Sequence, residues 1–219
     1  MSRERRITPG IRAFMESLGD ESWLDEPLFA INWFRAKRPR AYELYGALAA
    51  WSVFRTGGKL LFKGAVTETL KGDSGGRDTL LIVNYPSATS FLDLLSGRFF
   101  QLVSPLRMMA VRRFSFVMQR RSDGPALLEH RRPRFDSAKH FAACIGPAEM
   151  PLQSFEGVET IYKGCAAVEV VMEGRKGKKA LPHVTGSLRI VQADRRDAIR
   201  AWADMQDGAT CVVSLERKL

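Results

Sequence analysis

Apolar positions fall into short runs of two periods, separated by turns rich in glycine, proline and charge. The densest run is Leu80-Leu81-Ile82-Val83, followed by Asn84-Tyr85-Pro86-Ser87 and then by Phe91, Leu94 and Leu95. Four consecutive aliphatics suit a central strand covered on both faces. Pro86 offers no N–H to a ladder, so the strand ends by Tyr85. Ser87 then stands where a side-chain oxygen caps the free amides of a helix. Phe91, Leu94 and Leu95 recur at helical spacing, which predicts a helix folding back on the strand.

Upstream, Thr8-Pro9 opens a short helix lined by Ile11, Phe14, Met15 and Leu18 and closed by Gly19. Leu28 to Phe34 reads as a first strand with one polar residue, Asn32. From Ala41 to about Arg55 the spacing is helical, with Leu44, Leu48 and Trp51 on one face and Tyr45 beside them. Gly57-Gly58 ends that helix, Lys59 to Leu70 alternates loosely as a strand, and Gly72 to Gly76 is a turn. Arg98 to Arg113 predicts a short helix and a loop around Pro105, and Phe114 to Met118 a fourth strand. The order β-α-β-β-α-β is that of an α+β, ferredoxin-like split β-α-β sandwich.

Ser122 to Pro133, with glycine, two prolines and two arginines, marks a boundary. Beyond it the pattern echoes weakly. Leu61-Phe62-Lys63-Gly64 matches Ile161-Tyr162-Lys163-Gly164, and Leu80, Ile82, Val83 and Asn84 match Leu188, Ile190, Val191 and Gln192. Asp194 takes the capping place of Ser87, Ile199, Trp202 and Met205 form the helix stripe, and Thr210 to Leu215 is the closing strand. His140 to Ile145 is the first strand of this half, but too little chain separates it from Gly157 for a helix like Ala41–Arg55. The predicted organisation is an N-terminal helix and loop at 1–26, a ferredoxin-like domain at 27–121, a linker at 122–137 and a reduced second copy at 138–219. The tandem closes a barrel within one chain as a pseudo-dimer, or the first-half sheets pair in a homodimer.

Bulk properties narrow the partners. Of 219 residues, 34 are Lys or Arg and 24 are Asp or Glu, a net charge of +10. Nine of the cations lie between Arg107 and Lys139, against Asp123, Glu129 and Asp136. Such a segment is a solvated linker with strand edges, or it meets an anion. Nucleic-acid binding ranks third among the functions, because no recognition motif or interleaved aromatics accompany the charge. No apolar run reaches the roughly 18–20 residues of a membrane span, so no membrane partner is expected. No apolar signal core follows Met1 to Arg6, which predicts a cytoplasmic protein. Cys144, Cys165 and Cys211 are widely spaced among apolar residues and read as reduced core thiols.

The run Pro27 to Arg35, Ala41-Tyr42 to Tyr45, Gly57-Gly58-Lys59 and Val83-Asn84-Tyr85-Pro86-Ser87 resembles the bacterial family known as domain of unknown function 1330. The resemblance covers about residues 8–121. It implies the dimeric α+β barrel superfamily, whose ligands sit between one sheet and its helices. That superfamily includes cofactor-independent monooxygenases, heme-degrading enzymes, chlorite dismutases, isomerases and cyclases, along with modules without known catalysis. Fold does not choose among them.

Asn32 resembles the first-strand asparagine of the superfamily's monooxygenases, and its amide can donate to and accept from a polarised oxygen. It is the candidate catalytic residue, or else an amide satisfied by nearby backbone. Ala30, Asn32 and Phe34 share one face of the strand, which places Phe34, Tyr45 and Phe62 as walls of a site reached by Arg107. Tyr42, Trp33 and Trp51 are further aromatic candidates, with core packing as the plain alternative. The heme-degrading relatives add a tryptophan and a histidine to the asparagine, and no histidine precedes His130. His130, His140 and His183 lack metal-ligand spacing, so no metal and no cofactor is expected; heme ligation by His140 or His183 stays open. The expected function is binding or processing of a hydrophobic or anionic small molecule. The alternative is a non-catalytic binding, sensing or assembly module.

Overall fold

The structure, a computed structural model, describes residues 25–121, 139–147, 153–170, 186–209 and 211–218. The expected N-terminal helix, the 122–137 linker, His130 and His183 lie outside the described residues. The elements are β1 (Leu28–Ala36), α1 (Pro39–Arg55), β2 (Lys59–Gly72), β3 (Thr79–Tyr85), α2 (Ala88–Ser96), α3 (Arg98–Ala110) and β4 (Val111–Arg121). They are followed by β5 (His140–Gly146), β6 (Val158–Val170), β7 (Ser187–Ala193), α4 (Arg196–Asp204) and β8 (Cys211–Arg217).

All pairings are antiparallel and close one barrel in the order β1-β3-β2-β8-β5-β7-β6-β4. Each half contributes the same local order, with β4-β1-β3-β2 meeting β8-β5-β7-β6 through the β2–β8 and β4–β6 ladders. The fold is therefore α+β, of the dimeric α+β barrel type, with its sheet closed inside one chain. Closure leaves no strand edge open.

Two-sided burial explains the unbroken apolar runs. In β1, Phe29, Ile31 and Trp33 point into the barrel with Leu80, Ile82, Phe141 and Leu188, whereas Leu28, Ala30 and Phe34 point outward under α1–α3. Buried Arg77 ties the turn after β2 to β4. It donates to the Arg113 and Ser74 carbonyls and to Ser115 Oγ at 3.1, 3.2 and 2.8 Å, with its guanidinium 5.1 Å from the Trp33 ring centre. Ser87 caps α2 as expected, its Oγ accepting from the Ser90 amide at 3.0 Å. Gly57, at φ +79°, turns the chain out of α1.

Four local expectations need correction. The segment around Pro105 is helix throughout, because Pro105 lies on the solvent face, where the carbonyl it leaves unpaired can meet water. Asp194 does not cap α4. The N-cap is Arg195 without a side-chain bond, and Asp194 instead lies 3.7 Å from Lys139. In α1 the buried residues are Tyr42, Tyr45, Ala49 and Ser52, while Leu44 and Trp51 are 57% and 51% exposed. The helix is rotated from the orientation its aliphatic stripe suggests. Finally, Phe62 is a barrel-interior residue, as described below.

Candidate functional site

The outer face of β1, β3 and β4 is not fully filled by the helices above it. A cleft of about 1010 Å³ lies between that face and α1, α2 and α3. Small residues create the space. Ala30 stands on the floor, and Gly46, Ala49 and Ala50 face it from α1. A β-carbon built on Gly46 would meet nothing within 4 Å. The remaining wall is largely aromatic, with Phe91 stacked 5.6 Å from Phe116 and Tyr85 edge-on to Phe91 at 5.0 Å.

Polar side chains are a minority of the lining. Asn32, half-buried on the floor, donates from Nδ2 to the Ala30 carbonyl at 3.3 Å, and among the described residues its Oδ1 has no hydrogen-bond partner. Tyr42 and Tyr45 lie with ring centres 5.9 Å apart, and the Arg107 guanidinium stands beside the Tyr45 hydroxyl. Arg107 also sits 4.8 Å from the centre of the Phe114 ring, so its charge is held over an aromatic face. The Lys63 ammonium is 6.0 Å from the Tyr42 ring centre.

Burial pushes the phenols of Tyr42, Tyr45 and Tyr85 above the ordinary tyrosine range, with the nearby Arg107 charge pulling each partly back. All three are thus neutral donors at neutral pH. Glu43, the acid that lines the cleft, is exposed at its rim. No histidine or cysteine lines the cleft among the described residues. The arrangement can bind and polarise an oxygen more readily than it can move a proton. Among the described residues it offers heme iron no histidine or cysteine ligand, so the cleft does not fit a histidine-ligated heme.

Of the residues expected to form a site, Asn32, Tyr45 and Arg107 are brought together here. Phe34 lies one layer deeper, fully buried 4.6 Å from Tyr42 and 6.2 Å from Phe114, and supports the wall without lining it. Phe62 is on the other side of the sheet, 6.0 Å from Phe141 inside the barrel. A register shift between Leu60 and Phe62 pairs it with Ile82, which faces inward. Trp33 is likewise interior, and Trp51 is on the surface. Tyr85, Phe91, Phe114 and Phe116 line the cleft although the sequence pattern marks them only as strand or helix positions.

The described cations of the basic segment are dispersed. Arg107 turns to the cleft, Arg113 donates to the Gly75 carbonyl, and Lys139 pairs with Asp194. His140 is exposed at the start of β5 beside a second groove that includes Lys139, Arg196 and Lys218, away from α1–α3. Cys144 and Cys211 are buried free thiols, and no metal-holding group of His, Cys, Asp or Glu exists among the described residues. No described helix is long and apolar enough to cross a membrane.

No protein-family model matches the chain, that of domain of unknown function 1330 included, and no curated protein matches it. Solved structures do. A protein of unknown function from Rhodopseudomonas palustris is 21% identical over 53% of this chain and 95% of its own, with a TM-score of 0.43. A monooxygenase-like protein from Lactobacillus acidophilus is 11% identical over 89% and 95%, with a TM-score of 0.45. The chlorite dismutase of Candidatus Nitrospira defluvii, solved with imidazole, is 9% identical over 92% and 94%, with a TM-score of 0.39. The last two are dimeric α+β barrel proteins. The fold assignment stands on the strand order itself, and likenesses of this size carry nothing about activity.

Proposed function

We propose that the cleft over β1, β3 and β4 binds a hydrophobic, aromatic small molecule bearing an anionic or strongly polarised oxygen. Asn32, Tyr45 and Arg107 receive that oxygen, and the protein processes the ligand without a resident cofactor, as a monooxygenase, isomerase or cyclase of the dimeric α+β barrel type would. The tie to domain of unknown function 1330 and the cytoplasmic location belong to the same proposal. The observation that carries it is the largely apolar cleft whose lining includes Asn32, Tyr45 and Arg107. Mostly apolar concavities with a few aimed polar groups are what small-molecule sites look like.

Titration of the full chain with 8-anilinonaphthalene-1-sulfonate, which is aromatic and anionic, is the direct test. Saturable binding is expected, weakened about tenfold by Arg107→Met, the loss of one charge-assisted contact of about 1.4 kcal/mol. Absence of binding, or binding indifferent to Arg107→Met, would overturn the reading.

One observation favours the non-catalytic alternative: the cleft interior holds neutral tyrosines and no carboxylate among the described residues. Candidate ligands recovered unchanged after prolonged aerobic incubation would select a binding module over an enzyme.

A further inference from the structure

Exposed large hydrophobic side chains are not scattered over this protein. Of the nine among the described residues, eight lie on α1, on α3 or at the start of β2, and only Met205 lies elsewhere. Leu102 is 74% exposed, and Trp51 packs edge-on against Phe99 at 5.2 Å, bridging α1 and α3. Phe54, Leu60, Met108 and Met109 of the same set also line the cleft, so the apolar surface runs into its mouth. Concentration of this kind marks a surface that something covers.

Charge indicates what covers it. The exposed ionised residues of α1, α2, α3 and their connectors include Lys37, Arg38, Arg40, Arg55, Lys59 and Arg98, against Glu43 and Asp93. The Arg55 guanidinium lies 4.7 Å from the Trp51 ring centre, which sets a cation directly beside the apolar patch. A second copy of the chain would bring this cationic rim against itself. A bilayer containing anionic lipid complements both features, with headgroups meeting the cations and the acyl boundary meeting Trp51, Phe54 and Leu102.

We propose that the α1–α3 face is a peripheral docking surface for anionic membranes, and that the cleft takes its ligand from, or delivers it to, the lipid phase. That no described helix is long and apolar enough to span speaks to crossing a membrane and not to resting on one. The surface itself stands without the cleft reading; its use in ligand transfer rests on that reading.

The experiment uses the full chain with vesicles of phosphatidylcholine alone or mixed with phosphatidylglycerol, near 0.15 M salt. Cosedimentation is expected with the mixed vesicles only. Trp51→Ser combined with Leu102→Ser should weaken partitioning at least tenfold, and both sites are exposed enough for the variant to fold. Arg195→Gln with Arg196→Gln, at the start of α4, removes as many charges as the first variant removes apolar groups and should change partitioning less than twofold. Brominated acyl chains should quench tryptophan fluorescence, and Trp51→Phe should remove most of that quenching. The proposal is overturned by failure to bind mixed vesicles. It is overturned equally if Trp51→Ser/Leu102→Ser partitions like the parent, or if sedimentation instead shows a dimer that this variant abolishes. Titration with 8-anilinonaphthalene-1-sulfonate in vesicle-free buffer reads the cleft separately, so loss of the surface leaves the ligand site testable.

Discussion

On the outer face of β1, β3 and β4, three helices stand over a sheet surface rich in large rings and leave about 1010 Å³ unfilled. On the outer face of β5, β7 and β8, α4, the one helix described there, packs on Ala142, Cys144, Val191 and Val212 in a buried apolar cluster. The strand order beneath is the same in both halves. The number of helices therefore does not decide whether a half is sealed; the matching of sizes does. In the second half, small side chains on the sheet receive one indole, Trp202, which is 1% exposed. In the first half, aromatics on both layers hold the helices off the sheet, while Ala30, Gly46, Ala49 and Ala50 decline to fill the gap. Sealing by complementary sizes is ordinary core packing. A gap between large groups, with one cation turned into it, suits a ligand.

The contrast breaks most visibly at Trp202. Trp202→Ala removes the side chain that closes the second half and should cost about 3–5 kcal/mol, read as a large fall in Tm or in the denaturation midpoint. If the loss is below about 1 kcal/mol, the second half is not the sealed one and the comparison fails.

Alkaline titration touches both halves and separates them. Burial pushes the Cys144 thiol up from 9.0 to about 11 and the Cys211 thiol from 9.0 to about 12. Burial also raises Tyr42, Tyr45 and Tyr85 from 10.0. A raised pKa in the folded state leaves the group's contribution intact while both states hold the proton. Once the unfolded chain releases its proton and the folded chain does not, unfolding gains, and stability falls with pH. The loss should begin near pH 9, from the thiols of the second half, and steepen near 10, when the tyrosines of the first half join. Cys144→Ala with Cys211→Ala should move the onset toward 10, measured as Tm against pH. Unchanged stability from pH 8 to 11 would contradict the burial of both sets.

How much of this was legible in the sequence varies with the physics involved. The central strand and its cap were legible because covering both faces of a strand demands an unbroken apolar run, and Pro86-Ser87 ends it by chemistry alone. The face of Asn32 followed from strand parity with Ala30 and Phe34. Phe62 was misplaced, since a single register shift after Leu60 reverses which side a residue faces. The phase of α1 was hidden for another reason. Leu44 and Trp51 are more hydrophobic than Tyr42 and Tyr45, yet the tyrosines are inside, with the Tyr45 hydroxyl against Arg107 on a different helix. That partner becomes visible only once α3 runs unbroken past Pro105 and carries Arg107 back over the sheet. The aromatic wall of Tyr85, Phe91 and Phe116 likewise comes from separate elements whose convergence no local pattern reports.

A smaller effect tests the void directly. Gly46 is inside α1 and faces open space, so Gly46→Ala should stabilise the protein by about 0.5–1 kcal/mol through helix propensity without a clash. Gly46→Leu should keep that stability while projecting into the cleft and abolishing probe binding. Destabilisation by either variant would show that the space beside α1 is not there.

The smallest change in stability is expected at Asn32. Its side chain is half-buried, with one 3.3 Å donation to the carbonyl two residues before it in the same strand. Deleting a weak, partly solvated hydrogen bond of this kind removes less than about 1 kcal/mol, because water can reach the freed carbonyl. The amide's acceptor oxygen makes no hydrogen bond within the described chain and stands in the same cleft as the guanidinium of Arg107. Asn32→Ala should therefore leave Tm within a few degrees of the parent and weaken binding of oxygen-bearing aromatic ligands several-fold, as read by calorimetric titration. Asn32→Asp sharpens the reading. A carboxylate there would add a negative charge to the cleft that holds Arg107, so anionic ligands should lose affinity and neutral phenols should lose less. The opposite pattern, a large fall in Tm with ligand affinity retained, would make Asn32 a structural amide of β1 and would leave Tyr45 and Arg107 as the polar end of the cleft.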